Sequence, residues 1–251
     1  MIALEKIPPF PAVLARLNTI TADPAASLDI VADVLRTDPG LAARTMAACQ
    51  SAFYQRAEPP ETLRDAVLIL GVREVARIGQ IFALADFVQG NSTRSKVAMR
   101  YYWERSVTAA LAMEDLTDGN EVAYTTGLMH LVGIWVIGQS GLLAEEIACR
   151  DLAQQATLEQ ASLGFNFAEV GALALSHWGF APEIVDAVGQ QLDPKPGTLA
   201  ATLHEAILVT DLSTGRAVPG LEPEQEKRLA EVAYRVSAKR GALLPEGTGA
   251  F

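Results

Sequence analysis

The chain has 251 residues, half of them hydrophobic, with 20 Lys plus Arg against 30 Asp plus Glu and a formal net charge of -10. That length and apolar content supply core for one large domain or two small ones and exclude disorder over most of the chain. The acidic balance, without a dense basic cluster, argues against a nucleic-acid partner and against an acidic membrane surface.

The N-terminus, MIALEKIPPF, has no hydrophobic signal core. No uninterrupted apolar run reaches the ~18 residues a membrane span needs, so a cytoplasmic protein with no membrane partner is expected. Cys49 and Cys149 lie far apart among apolar neighbours and form no CxxC motif. They read as two buried free thiols.

In chain order, IPPFP at residues 7–11 is a stiff, extended lead-in. Residues 12–21 repeat apolar side chains at Val13, Leu14, Leu17 and Ile20, a helical period. Ser27 is a candidate N-cap for a helix through Leu35, and Asp38 with Pro39 starts another that runs to Cys49. Residues 51–60 form an irregular joint that holds Phe53 and Tyr54. Thr62 caps a helix that ends at Gly71, and residues 72–86 continue as the next one. Alanine-rich composition favours helix throughout, and no strand alternation is convincing.

Residues 91–100 are polar and lead into a long helix through Leu116, loaded with Tyr101, Tyr102 and Trp103. The turn Asp118-Gly119-Asn120 closes it. Residues 123–141 carry no charge and read as one central helix packed on several sides, with His130 in its middle. Amphipathic residues 145–150, a short helix at 157–163, and AEVGALALSHW up to Gly179 follow. Pro182 starts the next helix, DPKPGT at 193–198 is linker-like, and residues 199–212 form a further apolar helix. Pro223 opens the last helix. From Leu244 the tail has no reason for order.

A histidine inside an apolar run is expected to be a core residue bonded to a backbone carbonyl or a serine. A ligand or general base is the alternative. The other two histidines, His177 and His204, form no close pair with metal spacing. Asp211 stands seven residues after His204, two helical turns, so a His/Asp dyad is conceivable on one face, though no nucleophile is placed for it. No GxSxG elbow, Walker motif or dinucleotide glycine motif occurs.

Several segments together resemble the HDOD family, the HD-related output domains of bacterial signalling proteins. IPPFPAVLARLNTI resembles the family's opening helix. DPAASLDIVADVLRTDPGLAARTMAACQSAFY resembles its most typical segment. LRDAVLILGVREV, YYWERSVTAA and AYTTGLMHLVGIWVI are similar to the segments that follow. The likeness runs from Ile7 to about Leu192.

The resemblance implies an all-α fold, with an N-terminal helical bundle (residues 1–90) packed on a degenerate HD-like core with a C-terminal helical extension (residues 91–251). The wider HD superfamily hydrolyses phosphate esters with divalent metals held by His and Asp. Against that pattern, Ser106, His130, Asn166, Gln190 (or Gln191) and Asp211 mark a relict pocket, and Leu131 stands where the Asp of the His-Asp doublet would fall. If the old geometry persists, Ser106 or Asp211 is the expected side-chain partner of His130. A hydrolase of this class needs several converging oxygen or imidazole ligands, so no metal, cofactor or catalytic residue is expected.

The resemblance therefore implies a non-catalytic signalling or regulatory module that acts through protein contacts, with an unidentified protein or a second copy of the chain as partner. A phosphohydrolase-like enzyme and a small-molecule sensor using the remodelled pocket are the alternatives. Phe53, Tyr54 and Arg56 are the candidate partner surface, with Tyr54 expected to be exposed and Phe53 buried.

Overall fold

The computed structural model describes residues 7–23, 25–54, 59–90, 96–139 and 151–244. Among them the chain is helical, with no strand. Residues 145–150 and Cys149 lie outside the described residues, as does the tail beyond Leu244. Backbone contacts divide the chain into two compact units. The first comprises the described parts of Phe10–Phe87 and Ser237–Phe251, and the second those of Met1–Pro9 and Val88–Val236. The division cuts two helices, so the last turns of the final helix belong with the N-terminal unit.

The first unit contains α1 (Ala12–Ala22), α2 (Leu28–Arg36), α3 (Pro39–Cys49), α4 (Leu63–Leu70) and most of α5 (Val72–Gly90). A 3-10 turn, Ala52–Tyr54, sits between α3 and α4. The starts follow from local chemistry. Asp38 Oδ1 accepts from Leu41 N at 3.0 Å with Pro39 at the first helical position, and Thr62 and Asp65 form a reciprocal capping box. Ser27 occupies the N-cap of α2 as expected, but its side chain makes no capping bond. Gly71, at φ 90°, lets the chain turn from α4 into α5 where a Cβ would be strained.

α2 packs against α1, α3 and α4, burying Leu14, Leu17, Val31, Leu35, Leu41 and Val67. One polar knot crosses this unit. Glu74 of α5 accepts from the Tyr54 hydroxyl and pairs with Lys239 Nζ at 3.0 Å and Arg77 at 4.0 Å. Burial pushes the Glu74 carboxyl up. Lys239, the hydrogen bonds from Tyr54 and Lys239, and Arg77 outweigh it and leave the group below its usual range.

The second unit holds α6 (Lys96–Leu116), α7 (Glu121–Met129), α8 (Val132–Gln139), α9 (Leu152–Leu163), α10 (Phe167–His177), α11 (Pro182–Gly189), α12 (Leu199–Ser213) and most of α13 (Pro223–Leu243). α6 packs against α7 and α12, while α10 packs against α8 and α11. Tyr102, Trp103, Tyr124, Trp135 and Phe167 fill the core. α9 starts earlier than its sequence pattern suggests because Asp151 caps it, accepting from Gln154 N at 2.9 Å. Its buried face holds a chain of bonds: Tyr102 hydroxyl to Gln155 Oε1 at 2.7 Å, Gln155 Nε2 to Glu159 Oε1 at 2.8 Å, and Phe167 N to Glu159 Oε2 at 2.7 Å.

The expected single helix over residues 123–141 is two helices, α7 and α8, broken at His130-Leu131. Two contacts explain the break. The His130 imidazole bonds to Gly127 O, the carbonyl that the Leu131 N–H would use in a continuous helix. On the α8 side Gly133 sits against α10 so closely that a Cβ would overlap the Phe167 carbonyl and lie 2.6 Å from Gly171 N. The break re-aims α8 into that contact.

Candidate functional site

Of the expected pocket residues, Asp211 belongs to a packed ion pair in the second unit. Arg105, on α6 beside Ser106, is 4% exposed. Its Nη1 donates to Asp211 Oδ1 of α12 at 2.7 Å and to the Tyr101 hydroxyl at 3.4 Å. Arg216 approaches the same Asp211 oxygen at 3.6 Å and Asp151 at 4.0 Å. The Arg105–Asp211 pair lies largely away from solvent, so each partner becomes costly to leave alone.

His130 is buried at the α7–α8 break, with Nδ1 2.7 Å from Gly127 O. A carbonyl only accepts, so Nδ1 carries the proton. Burial drives the imidazole down to about 3; the Gly127 bond opposes this and the Arg105 charge adds to it. His130 is thus a neutral core histidine at any ordinary pH. It bonds to a backbone carbonyl and to neither Ser106 nor Asp211. Ser106 is fully buried and its Oγ has no hydrogen-bond partner.

Asn166 serves as the N-cap of α10, accepting from Ala168 N and Glu169 N at 2.9 and 3.1 Å. Gln190 is exposed, and its neighbour Gln191 is the buried one. Gln191 Nε2 donates to His130 O at 3.0 Å and to Val188 O at 2.8 Å, tying the end of α11 to the helix break. His204 Nδ1 lies 3.3 Å from Gln191 O. His204 and Asp211 therefore share α12 but serve different partners, and no dyad forms.

Sequence reasoning missed Arg105 and Arg216. The one signal for Arg105 was a charge flanking the Tyr101-Tyr102-Trp103 cluster in the middle of α6, where a buried charge requires a partner. That partner is 106 residues away in sequence. Between these groups and the apolar faces of α9 and α12 lies a cleft of about 230 Å³.

The expected partner surface is rearranged. Phe53 is 47% exposed, whereas Tyr54 is half-buried with its hydroxyl bound to Glu74. The two rings meet edge-on at 5.0 Å, so Tyr54 props Phe53 outward and the expected exposures are reversed. Arg56 lies outside the described residues. Ile30 and Leu68 of the same unit are also exposed, at 46% and 61%.

This is the fold of a degenerate HD-like helical protein. The HDOD domain family model matches residues 7–194, and the chain belongs to that family. The family is a non-catalytic branch of the HD superfamily. An HDOD domain protein of unknown function from Geobacter sulfurreducens is 20% identical, with a TM-score of 0.74 over 95% of this chain and 94% of that one. A candidate phosphohydrolase from Shewanella amazonensis is 23% identical, with a TM-score of 0.68 over 95% and 94%. A candidate signal transduction protein from Marinobacter aquaeolei is 20% identical, with a TM-score of 0.71 over 97% of this chain and 60% of that one. At these identities the likeness is one of fold. No curated protein matches.

The residues present do not fit the divalent ions of the wider superfamily. Among the described residues no group of three or more His, Cys, Asp and Glu side chains converges to hold an ion. Asn166 is spent on a helix cap and Asp211 on a guanidinium. A cation brought to Asp211 would meet the fixed charge of Arg105. No helix among the described residues is long and apolar enough to cross a membrane.

Proposed function

We propose that the protein is a regulatory module that acts through protein–protein contacts, and that its N-terminal unit carries at least part of the contact surface. The observation that carries this reading is the Arg105–Asp211 pair: the carboxylate that the resemblance matches to the superfamily's closing aspartate is held by a permanent guanidinium. A module without chemistry of its own passes a signal by binding.

The N-terminal unit suits that role. Of the five large hydrophobic residues exposed among the described residues, three belong to it: Ile30, Phe53 and Leu68. Leu68 also lines an open groove with Gln50, Pro59 and Pro60, whose prolines limit the ordering cost of binding. Aromatic anchors of this kind dominate binding hot spots.

The catalytic half of the reading is tested by purifying the full chain from manganese- and zinc-supplemented cells. Metal content and hydrolysis of phosphate mono- and diester substrates are then measured. The expected result is no stoichiometric metal and no turnover. One tightly held transition metal per chain, with a hydrolysis that Asp211→Asn abolishes, contradicts it.

A further inference from the structure

The contact surface proposed above leaves the cleft of the second unit without a role. Its polar lining includes Arg105, Gln191, His204, Asp211 and Arg216. The remainder is mostly apolar, with Leu152, Ile207, Leu208 and Val218 among it.

Two polar groups of this wall are left unpaired. Both hydrogen bonds of Arg105 leave from Nη1, and its buried Nε has no acceptor. Gln191, 1% exposed, spends both bonds through Nε2, and its buried Oε1 has no donor. Buried polar groups are nearly always paired, so two unpaired ones on residues that line one cleft mark it as a candidate binding site.

We infer that the cleft binds a small organic carboxylate. Arg105 and Arg216 receive the carboxylate, and a short apolar body lies along Leu152, Ile207, Leu208 and Val218. The planar guanidinium fork matches a carboxylate and has donors to spare. Asp151 and Asp211 line the same cleft, so a phosphate dianion would meet two carboxylates where a monoanion meets less repulsion. The volume of about 230 Å³ falls below the range that holds drug-sized ligands and excludes a nucleotide.

The test is calorimetric titration of the full chain with sodium hexanoate, with hexanol and inorganic phosphate as parallel probes. Ala153, exposed at the cleft, accepts a blocking Ala153→Trp without touching the core. Arg105→Gln combined with Asp211→Asn removes the guanidinium and its partner together. Saturable one-to-one binding of hexanoate alone is expected, weakened at least about tenfold in both variants, as loss of a charge-assisted bond implies. If the Arg105 variant does not fold, Ala153→Trp decides by itself. The inference is overturned if hexanoate does not bind, binds Ala153→Trp as well as the parent, or is matched by phosphate or hexanol. None of these results bears on partner capture by the N-terminal unit, so the two proposals fail separately.

Discussion

His130 shows how a single residue can be legible in kind and not in consequence. Its apolar run predicts a core histidine bonded to a backbone carbonyl, and Gly127 O is that carbonyl. The same bond interrupts the helix, which periodicity does not reveal because both halves are equally apolar. Its protonation has a thermodynamic consequence. The folded imidazole titrates near 3 and the unfolded one near 6.5, so between these values the unfolded chain binds the extra proton. Stability must therefore rise with pH across that window, by up to about 1.4 kcal/mol per pH unit from this group. Urea melts from pH 4 to 7 should show that slope, and His130→Gln should flatten it while lowering stability at pH 7 by roughly 1–3 kcal/mol. An unchanged slope in the variant would mean that another group carries it. Cys49 gives a second residue-scale expectation. Burial first, then the Glu74 charge, pushes its thiol up to about 12 despite a backbone bond that opposes them. Alkylation at pH 8, read on the Cys49 peptide, should be undetectable in the native protein and rapid in denaturant.

At the scale of elements, most helix starts and stops were readable from caps and periodicity, the break at His130 and the early start of α9 excepted. Asp38, Thr62 and the α4 stop at Gly71 lie where local chemistry puts them. What could not be read was which helices approach closely. Gly133, inside the apolar run, is the point where α8 meets the α10 backbone. Gly133→Ala should therefore cost about 3 kcal/mol or more, since backbone has to move. Gly189→Ala, where a Cβ would lie 3.2 Å from the Ala172 side chain, should cost much less. Thermal melts of the two variants distinguish a contact of this kind from simple helix propensity, which would favour alanine at both sites. The Glu74 knot belongs to the same scale. Its carboxyl is held below the usual range, so its contribution is complete above the unfolded pKa and is lost as pH falls through the folded one. Lys239→Met should weaken the protein at neutral pH by roughly 1–3 kcal/mol and reduce its loss of stability in acid.

For the whole molecule, family and fold class were legible because many modest motifs agreed along three quarters of the chain. The expected pocket residues serve several different roles. Ser106, His130 and Asp211 lie in or beside the cluster around Arg105, but Asn166 caps a helix and Gln190 faces solvent. The guanidinium that organises the cluster is joined to its carboxylate only by the fold. The surface residues were the least legible, since Phe53 and Tyr54 are neighbours and only tertiary packing decides which ring turns inward. The central claim is that the module works by contact through its N-terminal unit. It is tested most directly by quantitative co-purification from the native host, comparing the parent with Phe53→Ser plus Leu68→Ser. Both side chains are exposed, so the melting curve should move little. The account predicts a protein captured stoichiometrically by the parent and lost from the double variant at unchanged stability. Equal recovery of the same protein by both, or no specific capture by the parent, would contradict it.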